Sequence, residues 1–102
     1  MFTFADRVQV PPHVLVRFLD NEAVLLNLES ERYFGLDETG ARMWQVATAA
    51  PCLEAAYQEL LEEYHVAPHV LRENFGDLLG TLVEHGLLVT VAAEKVESST
   101  ER

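Results

Sequence analysis

The chain has 102 residues, 49% hydrophobic and 24% charged, which is enough for one globular domain that buries about two thirds of its surface. Its formal net charge of −10 disfavours binding to nucleic acid or to anionic membranes, since both require an excess of Lys and Arg. The single cysteine, Cys52, excludes an internal disulfide and a cysteine-rich metal site, and it fits a reducing compartment.

The sequence also predicts a cytoplasmic protein. No apolar segment approaches the roughly 18 to 20 residues that span a bilayer. Residues 1–7 lack the charged-then-apolar order of a signal peptide.

The first third of the chain carries strand signals. Residues 1–12 predict an extended lead-in, which Pro11-Pro12 ends. Three apolar segments then predict β-strands: 13–19, 22–28 and 32–36. The first connection, Asp20-Asn21, tolerates the positive φ of a tight hairpin, and residues 29–31 form the second. These short connections predict an antiparallel meander with the third strand at one edge, unless the first strand folds around to cover it.

The rest of the chain carries helix signals. Three segments with apolar residues at helical spacing predict α-helices: 38–48, 53–64 and 68–85. Asp37 caps the first of them, and Trp44 belongs to the core. Cys52 stands before the second helix, where Ser or Thr is the better cap. Pro68 suits the first turn of the third helix, and Gly86 marks its end.

The third predicted helix and the segment after it each have a feature that can be interpreted in more than one way. Gly76 and Gly80 each cost roughly 1 kcal/mol of helix propensity, which indicates either a groove, a close packing partner, or plain tolerance. Residues 87–91 form a short apolar exit, either a fourth strand or a wing. Residues 93–102 are polar, so we expect one domain over residues 1–92 followed by a disordered tail.

The residue types of catalysis are poorly placed. The three serines, at positions 30, 98 and 99, lie in a turn and in the tail, far from any predicted buried base. Cys52 fits a small buried apolar group better than a nucleophile. His65 and His69 are four residues apart, but Pro68 intervenes and no further ligand is near. The sequence therefore predicts no catalytic residue, no metal site and no cofactor.

The run V-L-L-N-L-E-S-E-R-Y-F-G-L-D-E-T-G-A-R-M-W at residues 24–44 resembles the PqqD-like family, the RiPP recognition elements. The resemblance continues through L-L-E-E-Y-H-V at residues 60–66 and L-L-G-T-L-V-E-H-G-L-L at residues 78–88. It covers about residues 6–91. It implies an α+β, winged helix-turn-helix-like fold with a three-stranded antiparallel sheet followed by three helices (β-β-β-α-α-α).

The resemblance also implies a function, which is to bind the leader segment of a ribosomally made precursor peptide as an added strand beside the third helix. An exposed strand edge suits this role, since its unpaired N–H and C=O groups accept a peptide. The predicted edge, including the Phe34 amide as a ladder donor, consists of Arg32, Tyr33, Phe34, Gly35 and Leu36. The predicted apolar wall, most of which must also serve the core, consists of Leu71, Phe75, Leu78, Leu79 and Leu82.

In such families the modifying enzymes that receive the peptide are separate chains when the module stands alone. Lasso peptide pathways supply a leader peptidase and a cyclase, and radical pathways such as pyrroloquinoline quinone formation also use stand-alone modules. The strand R-Y-F-G-L does not decide between them. An unpaired edge predicts a monomer or a weak homodimer.

Two other functions compete with this hypothesis. A winged-helix nucleic-acid-binding or regulatory protein is compatible with the fold class. However, Arg72 is the only Lys or Arg of the third predicted helix, against Glu73, Asp77 and Glu84. An enzyme acting through Cys52 or the histidines is the second alternative.

Overall fold

The computed structural model describes residues 2–92, so the predicted disordered tail at 93–102 lies outside the described residues. The elements in chain order are β1 (Arg7–Gln9), β2 (Val14–Leu19), β3 (Glu22–Asn27), β4 (Arg32–Leu36), α1 (Glu38–Ala49), α2 (Leu53–Glu63), α3 (Pro68–Glu84) and β5 (Val89–Val91). The predicted α+β fold, with three antiparallel strands followed by three helices, is confirmed. Two additional short strands, β1 and β5, flank this series.

The three-stranded sheet is a meander in the order β2-β3-β4. Both connecting turns contain a residue in the left-handed region, Asp20 with φ 58° and Glu31 with φ 61°. Asp, like Asn, tolerates this conformation because its short side chain can bond to nearby backbone, whereas Glu31 is a rarer choice. The first of the three predicted strands, β2, does not fold around to cover β4. The strand β4 therefore has a neighbour, β3, on one side only.

The lead-in and the apolar exit form a second sheet. β1 pairs antiparallel with β5, with Val8 opposite Thr90, so the exit is a strand whose partner is the lead-in. The sequence did not predict this pairing, because it joins the two ends of the domain. It restricts the extended lead-in to three strand residues within the segment before Pro11.

The lead-in also compensates for the weak cap of α2. Cys52 makes no side-chain cap hydrogen bond. The carbonyl oxygens of Asp6 and Phe4 instead accept hydrogen bonds from the first amides of α2, those of Leu53 and Glu54, each at 2.8 Å. Free amides of a helix N-terminus require such acceptors.

The core lies between the inner face of the sheet and the three helices. Leu25 and Leu36 contribute from the sheet, and Trp44, which is 4% exposed, contributes from α1 as predicted. The predicted cap at Asp37 is confirmed, because its Oδ1 accepts a hydrogen bond from the Gly40 amide at 2.8 Å. The strand β4 therefore runs directly into α1 and is fixed at that end. Within residues 2–92, no helix is long and apolar enough to cross a bilayer.

Candidate functional site

The direction of each backbone group in the sheet follows from the first turn. A two-residue turn makes its flanking residues, Leu19 and Glu22, a hydrogen-bonded pair. Hydrogen-bonded pairs alternate along an antiparallel ladder, so Val24 and Leu26 also direct their N–H and C=O groups toward β2. The residues between them on β3 therefore bond to β4.

The partners of those β3 residues are Leu36 opposite Ala23, Phe34 opposite Leu25, and Arg32 opposite Asn27. The two remaining residues of β4, Tyr33 and Gly35, direct their N–H and C=O groups away from the sheet. This corrects the prediction for Phe34, whose amide bonds inside the sheet. The open edge thus offers two donors and two acceptors at alternate residues.

A cleft of about 320 Å³ lies beside this edge. It is bounded by β4 on one side and by the end of α3 on the other, and its lining residues are Asn27, Ser30, Arg32, Tyr33, Phe34, Glu84, His85 and Leu87. The rings of Phe34 and His85, which both line the cleft, pack against each other with centroids 5.7 Å apart. Nδ1 of His85 lies 2.8 Å from the Thr81 carbonyl oxygen and donates to it, which holds the imidazole against the last turn of α3.

The cleft has a charge of each sign on opposite walls. Arg32 lies on the strand side and Glu84 on the helix side, and both are exposed. Neither takes part in an ion pair within residues 2–92. The ring of Phe34 and the buried residue Leu87 also line the cleft. Such a cleft suits a peptide segment that has an apolar residue between polar ones.

The structure does not bring the predicted apolar wall to this cleft. Four of its members are at most 4% exposed and belong to the core: Leu71, Phe75, Leu79 and Leu82. Leu78 is half-buried against the core and is not a lining residue. The reason is that a helix with a single apolar stripe packs that stripe against the core. The same side chains are then not available to line a surface cleft. The helix side of the cleft is therefore supplied by Glu84 and His85.

Gly76 and Gly80 lie on a second, shallower groove of about 510 Å³ that shares Glu84 with the first cleft. A Cβ atom built at either glycine meets nothing within 4 Å. No described part of this chain packs closely on them, which removes close internal packing as their explanation.

Sequence reasoning missed part of the cleft: Asn27, Ser30, Glu84, His85 and Leu87. Gly86 gave a partial signal, because a glycine stop with φ 72° reverses the chain after α3 and directs this end of the helix toward the sheet. No pattern in the sequence indicates that this reversal faces the β3–β4 turn.

The other cleft with many polar residues is at the opposite end of the sheet, where α1 and α2 meet the β2–β3 turn. Arg42 there donates two hydrogen bonds to Glu63, one of them from Nε at 2.8 Å. These bonds hold the pKa of the Glu63 carboxyl below its usual 4.5. Residues 2–92 contain no group of three His, Cys, Asp or Glu side chains that could hold a metal ion.

Comparisons with known proteins identify the family of this chain. The family model for coenzyme PQQ synthesis protein D (PqqD) matches residues 22–88. The chain is similar to TbiB1, solved in complex with the TbiA(beta) leader peptide, with 30% identity, a TM-score of 0.71, and coverage of 78% of this chain and 93% of that chain. It is also similar to a lasso peptide synthetase B1 solved with the leader peptide, with 26% identity, a TM-score of 0.70, and coverage of 81% and 98%. No curated protein sequence matches it.

Proposed function

Because this chain belongs to the PqqD family, we propose that it is a non-catalytic module that binds the leader segment of a ribosomally synthesised precursor peptide. The observation that carries the proposal is the open edge of β4 beside a cleft that α3 closes on its far side. Strand addition satisfies unpaired backbone groups and gives affinity, while neighbouring pockets give specificity.

The register of β3 and β4 supports one docking geometry. The leader adds as an antiparallel strand, and its backbone bonds to Tyr33 and Gly35. On the added strand, the side chain opposite Phe34 points to the inner side of the sheet and enters the cleft beside the Phe34–His85 ring pair. Arg32 and Glu84 flank that position. Gly35 leaves its outer side bare, with nothing within 4 Å of a built Cβ, so a leader side chain there has room.

We further propose that the bound leader is delivered to modifying enzymes on separate chains, in a lasso peptide pathway with a leader peptidase and a cyclase. Similarity to two chains solved with leader peptides, one of them a lasso peptide synthetase B1, favours this pathway over a radical one. The module itself acts by holding the peptide.

The nucleic-acid alternative has no free Lys or Arg on α3 to support it. Arg72, the only Lys or Arg of that helix, forms an ion pair with Glu54 at 3.2 Å and lies over the Phe4 ring at 4.2 Å from the centroid. Phosphate contacts need unengaged cations.

A proline substitution on the edge strand tests the binding mode. The probe is a fluorescein-labelled synthetic TbiA(beta) leader peptide, the ligand of a similar chain, titrated by fluorescence anisotropy. Tyr33→Pro removes an outward amide and no ladder bond of the sheet, so it should weaken binding at least about tenfold, or ~1.4 kcal/mol, while the chain stays folded.

Two control variants accompany this test. One separates the contribution of the backbone amide from that of the side chain, and the other compares the β4 edge with the β2 edge. Tyr33→Ala keeps the amide and shows the contribution of the ring. Phe18→Pro removes an outward amide on β2, the opposite edge, and should leave the affinity unchanged. Equal binding by the folded Tyr33→Pro protein and the wild type would exclude strand addition at β4.

A further inference from the structure

Asn27 is the last residue of β3 and is 7% exposed. It is the sole amide or charged side chain that is buried within residues 2–92. A buried amide is costly unless its donors and acceptor are bonded, so its partners show what it holds together.

One side of the Asn27 amide bonds to the strand side of the cleft. Its Oδ1 accepts hydrogen bonds from the backbone amides of Glu29 at 2.9 Å and of Ser30 at 3.3 Å. These two residues belong to the β3–β4 turn, and Ser30 lines the cleft. The side chain thus fixes the conformation of the turn that leads into β4.

The other side of the same amide bonds to the helix side of the cleft. Its Nδ2 donates to the carbonyl oxygen of His85 at 3.3 Å, across 58 positions of sequence. Gly86, with φ 72°, permits this approach, because a Cβ at that position would lie 3.2 Å from Nδ2. His85 is the residue whose ring faces Phe34.

We propose that Asn27 is a positioning residue, which holds the two sides of the leader cleft at the spacing that an added strand requires. Its Oδ1 and one N–H of its Nδ2 bond to the protein's own backbone, so we assign its effect on the leader to the positions of Phe34 and His85. This inference rests on the proposed leader-binding function.

The substitution Asn27→Asp cuts one of the two links. Its carboxylate retains the acceptor for the turn amides but places an oxygen against the His85 carbonyl oxygen, where two acceptors repel. We expect the leader Kd, measured by anisotropy at about pH 8, to rise about tenfold relative to the wild type.

Lowering the pH should restore the second link. Once protonated, the introduced carboxyl has an O–H donor and an acceptor, as the amide does. Burial beside the His85 carbonyl raises the pKa of that carboxyl, whereas the two turn amides and Arg32, opposite it in the sheet, lower it. The Kd ratio of Asn27→Asp to wild type should therefore fall toward one as the pH is lowered from about 8 to about 4. Both proteins carry the same neighbouring charged and titratable groups, so the ratio cancels the effects that these groups have on the peptide directly. They are His13, Glu29, Glu31, Arg32, Glu84 and His85.

Two further variants separate positioning from general stability. Asn27→Ala loses both links and should bind weakly at every pH. Val46→Ala, a buried substitution in α1 that does not line the cleft, lowers stability and should leave the Kd unchanged. A pH-independent Kd ratio for Asn27→Asp, or an equal loss of affinity in Val46→Ala, would overturn the proposal.

A measurement without peptide distinguishes this inference from the proposed function. Nuclear Overhauser cross-peaks between the Phe34 and His85 rings should weaken in Asn27→Asp at neutral pH and recover in acid. Unchanged cross-peaks would refute the spacing role. Failure of the wild-type chain to bind any leader would instead count against the proposed function, and the ring contact would still decide whether Asn27 sets the spacing.

Discussion

Arg42 lies between two carboxylates, those of Glu63 and Glu59, in the polar cleft between α1 and α2. Its hydrogen bonds to Glu63 raise its own pKa and lower that of Glu63. A general acid needs a pKa near the working pH, and these shifts move both groups away from it. At the residue scale, the charges of this cleft therefore stabilise the fold.

The pH dependence of stability follows from the lowered pKa of Glu63. A carboxyl with a depressed folded-state pKa contributes stability above its ordinary value of 4.5 and loses it as the pH falls through the folded-state value. Glu63→Gln should lower the free energy of unfolding by about 0.2 to 1 kcal/mol at neutral pH, as for other solvent-accessible pairs. Urea unfolding at neutral and strongly acidic pH checks this, and a difference that persists in acid would contradict it.

At the scale of elements, α3 has two functions on different faces. One face supplies the core with Phe75, Leu79 and Leu82, and the end of the helix supplies Glu84 and His85 to the cleft. Gly76 and Gly80 lie on a third, open face. These glycines therefore lower helix stability without filling a steric need inside the chain.

Replacement of either glycine by alanine should stabilise the protein. Gly76→Ala and Gly80→Ala should each raise the free energy of unfolding by about 0.5 to 1 kcal/mol, because alanine restricts the unfolded chain and nothing clashes with the added methyl group. Chemical denaturation of both variants measures this effect. A loss of stability in either variant would contradict this prediction.

For the molecule as a whole, the lead-in before Pro11 connects separate parts of the domain. It pairs with β5 and packs against α2 and α3. The Phe4 ring packs edge-on against Phe75 and Tyr57, with centroids 5.7 Å and 6.0 Å away, and Arg72 covers it. The lead-in also supplies the acceptors for α2 and the partner of β5. None of residues 4–9 lines the leader cleft, so stability and binding are separable here.

Phe4→Ala tests that separation. Loss of the ring should lower the free energy of unfolding by about 2 kcal/mol, less than for a fully buried phenylalanine because Phe4 is only half-buried. The leader Kd should stay at the wild-type value under conditions where the chain is folded. Phe4→Leu, which keeps much of the apolar volume, should lose less stability. A weakened leader affinity in folded Phe4→Ala would show that the lead-in contributes to the site.

Features that depend on neighbouring residues could be predicted from the sequence alone: the meander, its turns, the Asp37 cap and the three helices. Turn chemistry, capping and hydrophobic periodicity act over a few residues, so they can be read without coordinates. The three-dimensional structure was needed to show that β2 leaves the edge of β4 open, that β1 pairs with β5, that the apolar stripe of α3 packs into the core, and that Glu84 and His85 lie beside the edge. These features depend on which distant surfaces meet, as in the bond from Asn27 to His85 across 58 positions, and no local pattern records such a meeting.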